Sequence, residues 1–162
     1  MRRIALLALA ALALGAGPAF ARPASHPVPA AAERQIAAHA GLESYAPARM
    51  LTGWHFVGWH YVPGELRISF ADRSHRQVTF VVTPLHTAHC ADGKQKTFQL
   101  AGSRVYWSQV TDPTVEYQQQ AWRCLEHPSG RWLRLVATSQ VPPAKLAGVG
   151  LGRVVASGRL IR

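Results

Sequence analysis

The stretch "GELRISFADRSHRQVTFVVTP" alternates between apolar and polar positions. Leu66, Ile68 and Phe70 fall on one side, and Val78, Phe80 and Val82 repeat the spacing after a polar turn, "DRSHR" (72–76). Arg67, Ser69, Gln77, Thr79 and Thr83 fill the intervening places. A period of two marks a strand with one buried face. The stretch therefore predicts a β-hairpin in an antiparallel sheet covered on one side. The segment before it, "GWHFVGWHYV" (53–62), also reads as a strand. Strict alternation puts Trp54, Phe56 and His60 on one face and His55, Val57, Trp59 and Tyr61 on the other. Both faces are rich in aromatics, so either both are covered or one is an exposed aromatic surface.

"KTFQL" (96–100), "SRVYWSQV" (103–110), "QQAWRCL" (119–125) and "RWLRLVAT" (131–138) read as further strands. Turn signals at Ala101-Gly102, Asp112-Pro113 and Pro128-Ser129-Gly130 separate them. "AAERQIAAHA" (31–40) has good helix formers followed by Gly41, which predicts a short helix. Its apolar face is little more than Ile36, so it needs a neighbour to persist. Pro142-Pro143 opens "PPAKLAGVGLGRVVASG", read as a closing helix with Ser139 or Gln140 near its cap. Gly148, Gly150 and Gly152 cost that helix about 3 kcal/mol in propensity. The expected fold is α+β: a curved, half-barrel-like antiparallel sheet with a short N-terminal helix and a C-terminal helix packed on it.

The N-terminus changes the setting. Met1-Arg2-Arg3, the apolar run "IALLALAALAL" (4–14) and Ala19-Phe20-Ala21 have the form of a signal peptide, residues 1–21. The run is short of the roughly 20 residues a bilayer span takes. After cleavage no transmembrane span is expected, and the location is secreted or periplasmic in a bacterium. Residues 22–31, "RPASHPVPAA", read as a flexible Pro/Ala linker, and 32–162 as one globular domain of ordinary size. An apolar content of 48% argues against disorder. Lys plus Arg number 18 against 8 Asp plus Glu. Only three of the 18 are Lys and there is no Asn, a bias that coding composition can produce without selection for a partner.

The two cysteines, Cys90 and Cys124, are expected to pair in an oxidising compartment. That bears on "HTAHC" (86–90), where His86 and His89 could chelate copper or zinc. A sulfur held in a disulfide is no thiolate and no strong metal ligand, so two histidines remain and spacing fixes no third. His55 and His60 differ by an odd offset and so are not expected to share a strand face. "GVGLGR" (148–153) lacks the strand–helix–strand that a dinucleotide site requires, and reads as close helix-to-sheet packing. "ADGKQKT" (91–97) fails as a P-loop. No Gly-x-Ser-x-Gly occurs, and no carboxylate pair is placed for acid–base work. Arg67, Arg73, Arg76, Arg131 and Arg134, near Trp59, Tyr106 and Trp132 in the pattern, suit an anionic polymer. Export makes nucleic acid an improbable physiological partner.

"SYAPARMLTGWHFV", followed by "GSRVYW", "QAWRC", "GRWLRLVAT" and a proline-opened terminal helix, resembles a domain of unknown function from bacterial envelope proteins. That domain also forms the extracytoplasmic part of anti-sigma factors. The similarity covers about residues 45–160. It implies an extracytoplasmic α+β domain and assigns no catalytic residue. The curved-sheet-plus-helix pattern is more distantly similar to lipoprotein carriers, by analogy of fold alone. The expected function is a non-catalytic binding or accessory module, monomeric and without cofactor, for a lipid or anionic polymer of the envelope. Trp54, Trp59 and Tyr61 are the candidate ligand-binding residues. Metal handling through His86 and His89 is the second reading, and a small secreted hydrolase the third.

Overall fold

The computed structural model describes residues 26–90, 95–110, 114, 115 and 117–162. The signal-peptide reading of 1–21, the first linker residues, Asp92 and Asp112 lie outside them. The chain is α+β. Helix α1 (Ala30–His39) precedes β1 (Tyr45–Pro47), β2 (His55–Val62), β3 (Glu65–Ala71), β4 (Gln77–Leu85) and β5 (Lys96–Leu100). Strands β6 (Ser103–Gln109), β7 (Gln119–Glu126) and β8 (Trp132–Ser139), helix α2 (Gly148–Ala156) and β9 (Gly158–Leu160) follow. Seven strands form one open antiparallel sheet in the order β2-β3-β4-β8-β7-β6-β5, and β1 pairs with β9 in a separate ribbon. The domain begins inside the stretch read as a linker: Val28 is buried in the core and α1 starts at Ala30.

The central hairpin has the register the alternation demands. Leu66 lies opposite Val82, Ile68 opposite Phe80 and Phe70 opposite Val78, and all six side chains are fully buried. Leu133, Leu135 and Ala137 of β8 continue this inner face. Asp72 closes the turn: its carboxylate accepts from the backbone N–H groups of Ser74 (2.9 Å) and Arg76 (3.0 Å) and from Arg76 Nε (2.7 Å). Burial acts to raise its pKa, but these bonds and the Arg76 charge outweigh it and hold the carboxyl below its ordinary value.

Strand β2 departs from strict alternation. A β-bulge between Phe56 and Gly58 inserts Val57 as an extra residue. Beyond it the faces exchange, so Phe56, Trp59 and Tyr61 lie opposite Phe70, Ile68 and Leu66 on the inner side. His55 and His60, opposite Ala71 and Arg67, therefore share the outer face, contrary to the odd-offset expectation.

The inner face carries the second layer. Helix α2 packs across β5 to β8. Its helix proper begins at Gly148, not at the prolines, because Pro142–Leu146 forms a separate turn closed by Lys145 and Leu146 N–H bonds to Pro142 O. Its N-cap is Ala147, with no side-chain cap, so Ser139 and Gln140 do not serve there. The glycines set how closely the helix approaches. A Cβ on Gly148 would fall 2.3 Å from Trp107 Nε1, and one on Gly152 would fall 2.9 Å from Leu100 Cδ1. Close helix-to-sheet packing thus explains "GVGLGR". Arg159 of β9 is ion-paired with Glu33 of α1, which joins the ribbon to the first helix.

The connection after β4 must pass β8, β7 and β6 to reach β5 at the far edge. Its described part, up to Cys90, is fastened on the outer face. Cys90 forms a disulfide with Cys124 of β7, 34 residues on, and Cys90 O accepts from Trp122 Nε1 at 2.8 Å. Trp122 is consequently buried, stacked on Tyr106 with Arg134 over its ring. The Cys124→Ala protein is expected to lose about 2–5 kcal/mol in urea melts. Identical midpoints for the two proteins would show that the crossover holds without its bridge.

Candidate functional site

Residues 48–54, between β1 and β2, form a strap along the inner side of the domain. Among the described residues, its hydrogen bonds to the rest of the domain lie at its base. Ala48 N–H donates to Ser157 O (3.1 Å), Arg49 N–H donates to Ser157 Oγ (3.1 Å), and that hydroxyl donates to Arg49 O (3.3 Å). Its tip turns through Gly53, at φ 83°, and a bond from Trp54 N–H to Leu51 O. That left-handed backbone is a glycine conformation. Between base and tip, Met50 and Leu51 are half-buried and pack against the core. Leu51 lies over α2 at Gly150, where a Cβ would stand 3.4 Å from Leu51 Cδ2.

Two grooves flank the strap, each of about 670 Å³. The first runs between the strap and α2, with Leu100, Gly150, Arg153 and Val154 in its wall. The second runs between the strap and the start of the chain, with Pro27, Pro29, Trp54 and Phe56 in its wall. Ala48, Arg49, Met50 and Leu51 line both. Among the described residues, no carboxylate lines either groove. The combination of an apolar floor with Arg49 and Arg153 at the rim suits a ligand with an apolar body and a negative group.

The residues singled out from sequence fall in different places. Trp54 lines the second groove. Trp59 and Tyr61 lie on the same inner side, half-buried against the core, and line neither groove; Trp59 packs near the His39 ring at 6.0 Å. His86 and His89 are exposed in the crossover, beside a Cys90 committed to the disulfide. Among the described residues, no group of three or more His, Cys, Asp and Glu could hold a metal ion. The strap residues Arg49, Met50 and Leu51, and Arg153 on the helix, went unmarked in the sequence reading. Their one signal is Met50-Leu51, an apolar pair just before the turn-forming Thr52-Gly53. No helix of the described residues is long and apolar enough to cross a membrane. No protein-family model, no curated protein and no solved structure matches this chain.

Proposed function

We propose that the protein is an exported, non-catalytic binding module of the cell envelope. Its ligand is apolar or anionic and lies in the grooves on the inner side of the curved sheet. The carrying observation is the strap: a segment whose hydrogen bonds to the domain, among the described residues, lie at its base, with Met50 and Leu51 dividing two largely apolar grooves that share its residues. Arg49 and Arg153 offer a counter-charge at the rim of the first groove. Trp54 is the member of the sequence-derived aromatic set that a ligand in the second groove would touch.

The test uses the quenching of tryptophan fluorescence by brominated stearate. Saturable quenching is expected in the native protein. It should be strongly reduced in Trp54→Phe, which removes the reporter while leaving bound stearate measurable by equilibrium dialysis. Met50→Glu puts a charge in both grooves and is expected to weaken binding about tenfold or more, as for burial of an unpaired charge. Unsaturable quenching, or full binding in Met50→Glu, would refute this reading.

A further inference from the structure

Strands β6 and β7 part company halfway along their length. Their ladder runs from Gln109 opposite Gln119 to Tyr106 opposite Trp122. Beyond that point β6 stays with β5 as far as Ser103, and β7 stays with β8 as far as Glu126. A wedge opens between Ser103–Val105 and Arg123–Leu125. It contains a cavity of about 530 Å³ whose lining includes Gln99, Ser103, Arg104, Tyr106, Arg123 and Cys124.

Arg123 bridges the wedge on its inner side. One terminal nitrogen donates to Ser103 Oγ and the other to Gly158 O, both at 2.8 Å. These acceptors are neutral, and Arg123 Nε is buried without a partner. Burial pulls the guanidinium below its ordinary range, partly offset by the nearby Tyr45 hydroxyl. Among the described residues, neither Arg123 nor Arg104 is paired with a carboxylate, and no carboxylate lines the wedge. A desolvated charge answered only by neutral dipoles is unfavourable, and an anion in the cavity would relieve it. Arg104, by its place in the strand alternation, projects on the outer side and stands exposed at the rim. Two guanidinium forks, one deep and one at the mouth, suit a group with several charged oxygens better than a single carboxylate.

We propose that the wedge between β6 and β7 is an anion site in which Arg123 and Arg104 hold a phosphate group, free or within an anionic polymer. This site is separate from the grooves around the strap and stands whether or not those bind a ligand.

The experiment is isothermal titration of the intact, disulfide-bonded protein with inorganic phosphate and, separately, with polyphosphate. Saturable binding of phosphate is expected. Arg104→Gln, an exposed position, should weaken it about tenfold, the scale of one lost charge-assisted bond. Arg73→Gln, an exposed arginine in the β3–β4 turn, should change it less than about twofold. Arg123→Lys keeps the charge and loses the fork. It should also weaken binding, and if that protein fails to fold, Arg104→Gln decides alone. Tighter binding of polyphosphate per site, with the same dependence on Arg104, would identify the polymer as the source; equal affinities would identify the free ion. Absence of saturable binding by either probe overturns the proposal. So does an equal loss in Arg73→Gln and Arg104→Gln, which would reflect only the net charge of +10.

Discussion

Replacing Gln119 by alanine is expected to remove about 3–5 kcal/mol of stability. Gln119 lies on β7 with no solvent exposure. Its Oε1 accepts from Trp107 Nε1 at 3.0 Å, and its Nε2 donates to Val141 O at 2.8 Å and to Leu146 O at 2.7 Å. One amide thus fastens a half-buried indole and both ends of the turn that leads into α2. Truncation would orphan one donor and two acceptors, each costing about 1–3 kcal/mol when buried, with partial relief by relaxation. Gln119→Leu separates this from the loss of volume. It refills the space but leaves the same three groups unpaired, so it should be nearly as damaging. Gln120→Ala is the control on the outer face, where the amide donates to Ser108 Oγ at 3.2 Å; it should cost under about 1 kcal/mol. Because the turn positions Gly148 against Trp107 and Gly150 in the first groove, Gln119→Ala should also loosen the groove wall. Faster amide exchange in 148–156 would report that. A loss below about 1 kcal/mol in urea melts would mean that the turn is held elsewhere.

The contrast between Gln119 and the hairpin shows what was legible in the sequence and what was not. The hairpin was legible because its side chains keep a strict period of two on both arms and only one face is buried. The disulfide was legible because the only two cysteines of a chain read as exported are expected to pair, and Cys90 and Cys124 do. β2 was misread by half. Its bulge at Val57 had one signal, the isolated Gly58 inside the strand pattern, and it moves every later side chain to the other face. The closing helix was recognised but begun too early, since a proline opens a turn as readily as a helix and the glycines needed against Trp107 lower propensity. β1 and β9 escaped because three residues carry no period. The grooves and the wedge escaped for a related reason. They arise from how a strap lies across a sheet and where two strands diverge, which are properties of tertiary placement. Gln119 itself looked like one glutamine in a run of three, and only the fold distinguishes it from its neighbours.

Phe80→Ala is expected to cost about 3–5 kcal/mol, the scale of truncating a buried aromatic. Phe80 is fully buried in β4, between Ile68 of β3 and Ala137 of β8. Its ring reaches across to the β1–β9 ribbon, where a Cβ on Gly158 would stand 3.3 Å from Phe80 Cζ. The side chain therefore joins the large sheet to the ribbon, and the cavity left by alanine cannot close without moving both. Thr79, one residue earlier, points to the outer face and is half-buried, between Ser69 and Thr138. Its backbone carbonyl, which a side-chain change leaves in place, accepts from Thr138 Oγ1 at 3.4 Å. Thr79→Ala should cost under about 1 kcal/mol. The crossover that buries Trp122 is fastened on β7, two strands from β4 in the sheet order, so it gives no reason for Thr79 to behave as a core residue. Urea melts of the two variants decide the matter. Equal losses would mean that both faces of β4 are tightly covered, in which case an open seven-stranded sheet with one packed side would not describe the domain in solution.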